Sequence, residues 1–221
     1  MPIRVMTQEL DPKRIVANGY DRIGEWYAKQ AVEWRTEDRD RYTSLLMDSL
    51  PVGAELLDLG CGAGTPTTRI LAQRLAVTGV DISARQIERA QGNVPNARLH
   101  RGDMTELNFE PATFDAVIDF FATIHVPRRE HPRLFQKIAT WLRPEGLFVA
   151  GLGAESLESG IEADWHGAPM YWSHFDSATN RRLVEGAGVE IVSSEEVTAE
   201  EDGQPVTFCW IVARKARLGD A

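Results

Sequence analysis

Short apolar runs alternate with helical patterns along the chain, and five segments read as strands: AELLDLG (Ala54–Gly60), LAVTGVD (Leu75–Asp81), ARLHRGD (Ala97–Asp103), FDAVIDFF (Phe114–Phe121) and GLFVAGL (Gly146–Leu152). Runs this short, rich in Leu, Val, Ile and Phe, predict strands. Between them apolar residues recur at helical spacing. Ser83, with Gln86 three residues on, reads as a capping box at a helix start. Leu134, Phe135, Ile138, Trp141 and Leu142 share one helical face, which stops at Arg143-Pro144-Glu145-Gly146. Strand, helix, strand at this spacing predicts a doubly wound, mostly parallel α/β sheet with helices on both faces.

The ends of the chain depart from that alternation. After a helix near Ser177–Ala187, closed by Gly188, come VEIVSS (Val189–Ser194) and VTFCWIVAR (Val206–Arg214). The stretch between them is too short for a crossover helix, so they predict a hairpin that puts an antiparallel strand into the sheet. A helical region precedes the first strand. The chain reads as one domain over 1–221, with an N-terminal helical region over 1–50, a core over 51–214 and a loop over 154–176.

Composition narrows the partners. Of 221 residues, 43% are hydrophobic and 26% charged, ordinary for a globular protein. Net charge is −9, and the short basic stretches at Arg128 and Arg214 read as solvated surface, which argues against nucleic acid as a partner. Glu195, Glu196, Glu200, Glu201 and Asp202 read as an exposed acidic turn. No apolar run approaches the ~20 residues of a membrane span, and the opening MPIRVMTQELDPKR has no apolar leader. Two separated cysteines, Cys61 and Cys209, suit reduced thiols and a cytoplasmic location, and no metal-ligand spacing occurs.

The chemistry concentrates in LLDLGCGAGTPTTRI, Leu56 to Ile70, where an apolar strand runs into Gly60, Gly62 and Gly64. Bare backbone at a strand-to-helix turn invites a ligand to press on it. The dinucleotide fingerprint G-x-G-x-x-G is not met, because Thr65 stands at its third glycine. Asp81 closes the next strand, where a carboxylate can accept from ribose hydroxyls. A structural tight turn remains the plain alternative.

LLDLGCGAG, GVDIS and RGDMTEL, followed by FDAVIDFFATIHVPRREH and WLRPEGLFVAG, resemble the class I S-adenosylmethionine-dependent methyltransferases, in the small-molecule branch related to quinone-ring methyltransferases. The resemblance runs from about Val16 to Arg214 and implies a seven-stranded sheet of order 3-2-1-4-5-7-6 with strand seven antiparallel. It implies S-adenosylmethionine as cofactor, held by Gly60, Cys61, Gly62 and Gly64. Asp58 would orient its ammonium end, directly or through water, and Asp81 its ribose. Asp103 and Met104 would meet the adenine, with Ile82 on its other face, and the Phe120 carbonyl would serve the ammonium. NGYDRIGEWYAKQ would form a helical lid over the cofactor, Tyr20 touching it and Tyr27 in the core; plain packing on the sheet is the other reading.

The methyl acceptor would be a small aromatic or apolar molecule, entering by the fourth and fifth strand ends. His125, after the fourth strand, is a candidate base, or else a hydrogen-bond donor fixing its loop. The acceptor-side loop EADWHGAPMYWSHFD supplies Trp165, Met170, Tyr171 and Trp172 as candidate acceptor contacts, with Trp26 from the lid. His166 is a second candidate catalytic residue, and His174 reads as structural. Metal-dependent chemistry is disfavoured. The tetrapeptide N/D-P-P-Y/F of amino-methylating nucleic-acid enzymes is absent. A relative that binds the cofactor but promotes a rearrangement without methyl transfer, and a nicotinamide oxidoreductase, are the competing readings.

Overall fold

The computed structural model describes residues 11–30 and 33–217. The helical region expected over 1–50 is therefore seen from residue 11, and its first ten residues lie outside the described ones. Two helices form it, α1 (Pro12–Gln30) and α2 (Thr36–Ser49). The five expected strands follow as β1 (Glu55–Leu59), β2 (Ala76–Asp81), β3 (Arg98–Arg101), β4 (Phe114–Phe120) and β5 (Leu142–Gly153). Helices α3 (Thr67–Leu71), α4 (Ala84–Asn93) and α5 (His131–Trp141) connect them. After β5 come a hairpin, β6 (Leu157–Trp165) and β7 (Ala168–His174), then α6 (Ser177–Gly186), β8 (Val189–Glu201) and β9 (Gln204–Lys215).

The main sheet has the order β3-β2-β1-β4-β5-β9-β8, parallel through β5, with β9 antiparallel to both its neighbours. With the β6–β7 hairpin counted apart, this is the expected 3-2-1-4-5-7-6. The apolar runs are continuous because neighbouring residues feed opposite cores. Leu57, Val117 and Phe148 pack under α5 and α6 with Leu134, Phe135 and Val184, while Leu56, Ile118 and Val149 meet Tyr42, Leu46 and Leu71 of α2 and α3. Strand order reverses between β1 and β4, so a crevice opens at their carboxyl ends.

Three local expectations change. The acceptor-side loop over 154–176 is mostly the two-stranded β6–β7 sheet, turned at His166-Gly167 with φ of 51° and 95°. The acidic stretch is strand rather than turn: β8 runs through Glu195–Glu201, and only Asp202-Gly203, at φ of 50° and 73°, turn the chain. Both are two-residue turns with positive φ, the geometry that matches strand twist. The Ser83 cap forms, its hydroxyl accepting the Gln86 N–H at 3.1 Å, but the Gln86 side chain does not return to complete a box.

Helix α1 packs mainly on β7. Val16 and Ile23 bury against Ala168, Met170 and Tyr171 in a third, smaller cluster. Gly19 permits the approach, since a Cβ there would sit 2.8 Å from the Pro169 carbonyl oxygen.

Candidate functional site

The three turn glycines are bare for three different reasons. All have positive φ. A Cβ on Gly60 would lie 2.2 Å from that of Ala122, so the loop after β4 presses on it. One on Gly64 would strike Val94 and Ala90 of the α4 region, so this glycine serves packing. Gly62 alone faces open space, and it lines a cavity with Gly60, Asp81, Ile82, Gln86, Asp103, Met104, Phe120 and, from α1, Lys13, Val16, Tyr20 and Tyr27. Its free volume is about 80 Å³.

Asp81 shapes this turn. Its two carboxylate oxygens accept the Gly62 N–H at 2.9 Å and the Ser83 N–H at 2.8 Å. Burial pushes its carboxyl up to about 6, against those hydrogen bonds. Asp58 lies behind the turn, outside the cavity lining, accepting from Thr68 Oγ1 at 2.7 Å; burial, then the Asp81 charge, raise it to about 6. Asp119, at the end of β4, is pushed by burial up to about 7. Three desolvated carboxylates at adjacent strand ends favour a cation beside them. Cys61 turns its sulfur toward Gly79 and away from the cavity, and burial lifts its thiol well above the usual range.

Asp103 is already engaged. Lys13 Nζ lies 2.7 Å from one of its oxygens and 2.5 Å from Glu130, and Thr105 donates to its other oxygen. Burial alone would lower the lysine, but the two acids outweigh it and hold its pKa above the ordinary value. The first turn of α1 is thereby tied to the loop after β3 and the turn before α5.

A second cavity, of about 690 Å³, adjoins the first. It lies between the hairpin β6–β7, the start of α2 and the tip of β8–β9. Tyr20, Tyr27, Phe121 and His125 line both. His125 is fixed by its neighbours. Asp119 accepts the N–H groups of Ala122 and Thr123 at 2.9 and 3.1 Å, closing the single 3-10 turn that carries the imidazole. His125 Nδ1 lies 2.8 Å from the Tyr171 carbonyl, which can only accept, so Nδ1 carries the proton. Nε2 then accepts from the Tyr20 hydroxyl at 2.8 Å. Burial lowers His125 to about 4, so the ring is neutral at pH 7.

Trp165 and Trp172 line the second cavity, in edge contact with each other and with Tyr20 and His125 in reach. Met170 and Tyr171 do not line it; they are buried between the hairpin and α1. Trp26 stacks on His166 at 3.9 Å and lies outside both linings. His166 bonds Asp202 at 2.8 Å, joining the two hairpin tips at the cavity rim. His174 lines the second cavity as well, and its Nδ1 donates to the Glu155 carbonyl at 2.6 Å.

The family described as "Methyltransferase domain" matches residues 56–146, from β1 into β5. Magnesium protoporphyrin IX methyltransferase from Synechocystis, solved with bound S-adenosylhomocysteine, superposes with a TM-score of 0.71 at 17% identity, covering 93% of this chain and all of that one (100%). Residues 56–146 carry a methyltransferase domain, and the fold around it is that of the S-adenosylmethionine-dependent methyltransferases. The chain is also similar to 27-O-demethylrifamycin SV methyltransferase of Amycolatopsis mediterranei, 36% identical over 58% of this chain and 50% of the relative. With 2-methyl-6-phytyl-1,4-hydroquinone methyltransferase of Synechocystis it shares 29% identity over 75% of this chain and 52% of the relative. The chain spans about half the length of these curated relatives. Among the described residues no helix is long and apolar enough to cross a membrane, and no cluster of His, Cys, Asp and Glu could hold a metal.

The methyltransferase domain's cofactor fits what lines the first cavity. Gly62 leaves a cradle that a Cβ would fill, and the buried Gln86 amide has neither its oxygen nor its nitrogen partnered. Sequence reasoning used Gln86 only as a helix cap and did not find Lys13 or Asp119. Asp119 had a signal, an acid inside an apolar strand end. Lys13 had none, because nothing local distinguishes it from a solvated lysine.

Proposed function

We propose that the protein transfers a methyl group from S-adenosylmethionine in the first cavity to a small, aromatic-rich metabolite in the second. The observation that carries this is the shared wall: Tyr20, Phe121 and His125 border both spaces, so two ligands would meet there. The hydroquinone named for the Synechocystis relative is the kind of acceptor that a wall of Trp165, Trp172 and Tyr20 suits. A rearrangement promoted by bound cofactor without methyl transfer would use the same two cavities, and only the products separate the two readings.

S-adenosylmethionine supplies an electrophilic methyl on a sulfonium, passed by in-line displacement. Around it Gly60 and Gly62 offer backbone, and Asp81 offers its remaining lone pairs to ribose hydroxyls, with the Gln86 amide beside it. Ile82 and Met104 flank the adenine, Asp103 and the Met104 backbone take its edge, and Phe120 and the Asp58–Asp81 pair favour the cationic end. Cys61 and Gly64 act behind the turn. Val16, Tyr20 and Tyr27 of α1 wall the first cavity, so α1 moves aside for entry and closes over the bound cofactor. Closure brings Tyr20 back to His125 and excludes water.

For an acceptor hydroxyl, Tyr20 takes its proton while giving its own to His125 Nε2. The imidazolium so formed keeps its Nδ1–H on the Tyr171 carbonyl. Burial makes His125 a weak base, so alignment and desolvation carry most of the acceleration. His166, tied to Asp202, holds the rim. Incubation with methyl-labelled cofactor and a panel of hydroquinones and phenols tests the reading. Label in an organic product with matching S-adenosylhomocysteine supports it; acceptor turnover without S-adenosylhomocysteine supports the rearrangement instead.

A further inference from the structure

The second cavity holds one cation that the protein leaves unmatched. Arg39 of α2 lines it and stands over the Phe121 ring at 5.0 Å, and its side chain makes no hydrogen bond or ion pair among the described residues. Its Nε is buried without a partner. Arg35, one turn earlier and also near that ring, differs in being spent: Asp38 and Glu201 take its guanidinium, with the Val206 carbonyl. None of the lining acids pairs with Arg39, whose charge acts only at a distance, as on Asp58. Glu201 serves Arg35, Asp202 serves His166, and Asp164 accepts the Gly167 N–H, while Glu155 and Glu162 lie on the hairpin side.

We infer that Arg39, standing over Phe121, is a subsite for an anionic group of the acceptor, a carboxylate above all. This rests on the second cavity being the acceptor site. A guanidinium over an aromatic face spends none of its N–H groups there, and a carboxylate matches its planar fork with two parallel bonds. Phe121 is itself held at φ of 73°, a conformation uncommon for a bulky residue, with its ring against Gly151, Phe208 and Trp210. The platform under Arg39 is therefore rigid. An acceptor anchored there by its acid would reach along the cavity toward Tyr20 and His125 at the shared wall.

The test uses 4-hydroxybenzoate and its neutral counterpart 4-hydroxybenzamide as probes, titrated into the full chain with saturating S-adenosylhomocysteine. The wild type is expected to bind the carboxylate about tenfold or more tightly than the amide. Arg39→Gln should abolish that preference, and Arg39→Lys should keep part of it. Equal binding of the two probes, failure of both to bind, or an unchanged preference in Arg39→Gln would overturn the inference. Thermal unfolding of each variant checks the fold. Binding of S-adenosylhomocysteine is read separately: its loss in the wild type would fell the cofactor reading, whereas its retention with indifferent probes would fell only the subsite.

Discussion

Lys13→Met removes one ammonium and keeps the apolar stem, which isolates the tie between α1 and the core. In the wild type Nζ meets Asp103 at 2.7 Å, Glu130 at 2.5 Å and Thr105 Oγ1 at 2.7 Å. The lysine and Asp103 side chains are each 21% exposed and Glu130 is 27% exposed, so this is neither a surface pair nor a dry one. Exposed pairs contribute about 0–1 kcal/mol and charge-assisted hydrogen bonds about 1.5–3 kcal/mol. The freed carboxylates regain water, so the lower bond-like range, about 1.5–3 kcal/mol for the whole cluster, is the expected loss. Lifting the start of α1 then becomes roughly 10- to 150-fold more populated. Hydrogen exchange of the amides over Val16–Tyr27 reads this directly, and Lys13→Arg should stay near wild type. S-adenosylhomocysteine should slow exchange in both proteins. Unchanged α1 exchange in Lys13→Met, or exchange indifferent to ligand, would show α1 to be ordinary packing and refute the lid.

Asp81→Asn should weaken S-adenosylmethionine binding at least tenfold by calorimetry, since it removes the charge beside the cavity while keeping one acceptor for Gly62 (about 1.5–3 kcal/mol per charge-assisted bond). With Asp58 and Asp81 raised by burial to about 6, a bound cation favours their ionised forms, so binding expels protons and affinity climbs as pH rises through about 6. Titrations at pH 6 in buffers of different ionisation enthalpy should reveal that release, and its absence would sink the cationic-well account. Gly64→Ala, forced to positive φ against Val94 and Ala90, should lower stability by about 1–3 kcal/mol in urea unfolding without a change in m. Once an acceptor is in hand, Tyr20→Phe and His125→Asn should each lower kcat on the order of 10²-fold, with the double variant little worse than either. Wild-type turnover in both single variants would leave alignment as the sole contribution.

The centre of the sheet was readable because β1, β2, β4 and β5 are buried on two faces, leaving apolar runs such as LLDL and AVID that few other elements produce. Helix α5 showed itself through its one apolar face. The β6–β7 hairpin did not, for β6 is exposed almost throughout and exists by pairing with β7, whose own burial comes from α1. Its turn, His166-Gly167, lacks the usual Asn or Asp signal. The acidic stretch misled in the same way: charges on an edge strand guard it against pairing with another chain, and read locally they resemble a loop. In the site, Gly60, Gly62 and Asp81 stood out from the strand ends, whereas Met104 came only from the family resemblance. Lys13, Arg39 and the Tyr20–His125 bond join segments far apart in sequence, and no local pattern encodes a contact across 105 residues.

Tyr20 sits on the helix proposed to open for cofactor entry yet forms part of the wall of both cavities, and that proposal has a kinetic consequence. While α1 is raised, the second cavity lacks Tyr20 and Tyr27 on one side, and His125 lacks its hydroxyl partner. An acceptor arriving then would find an incomplete surface. Steady-state turnover should therefore be sequential and ordered, nucleoside first in and nucleoside last out. S-adenosylhomocysteine would compete with S-adenosylmethionine and appear noncompetitive toward the acceptor, and the helix that seals one ligand would set the schedule for the other.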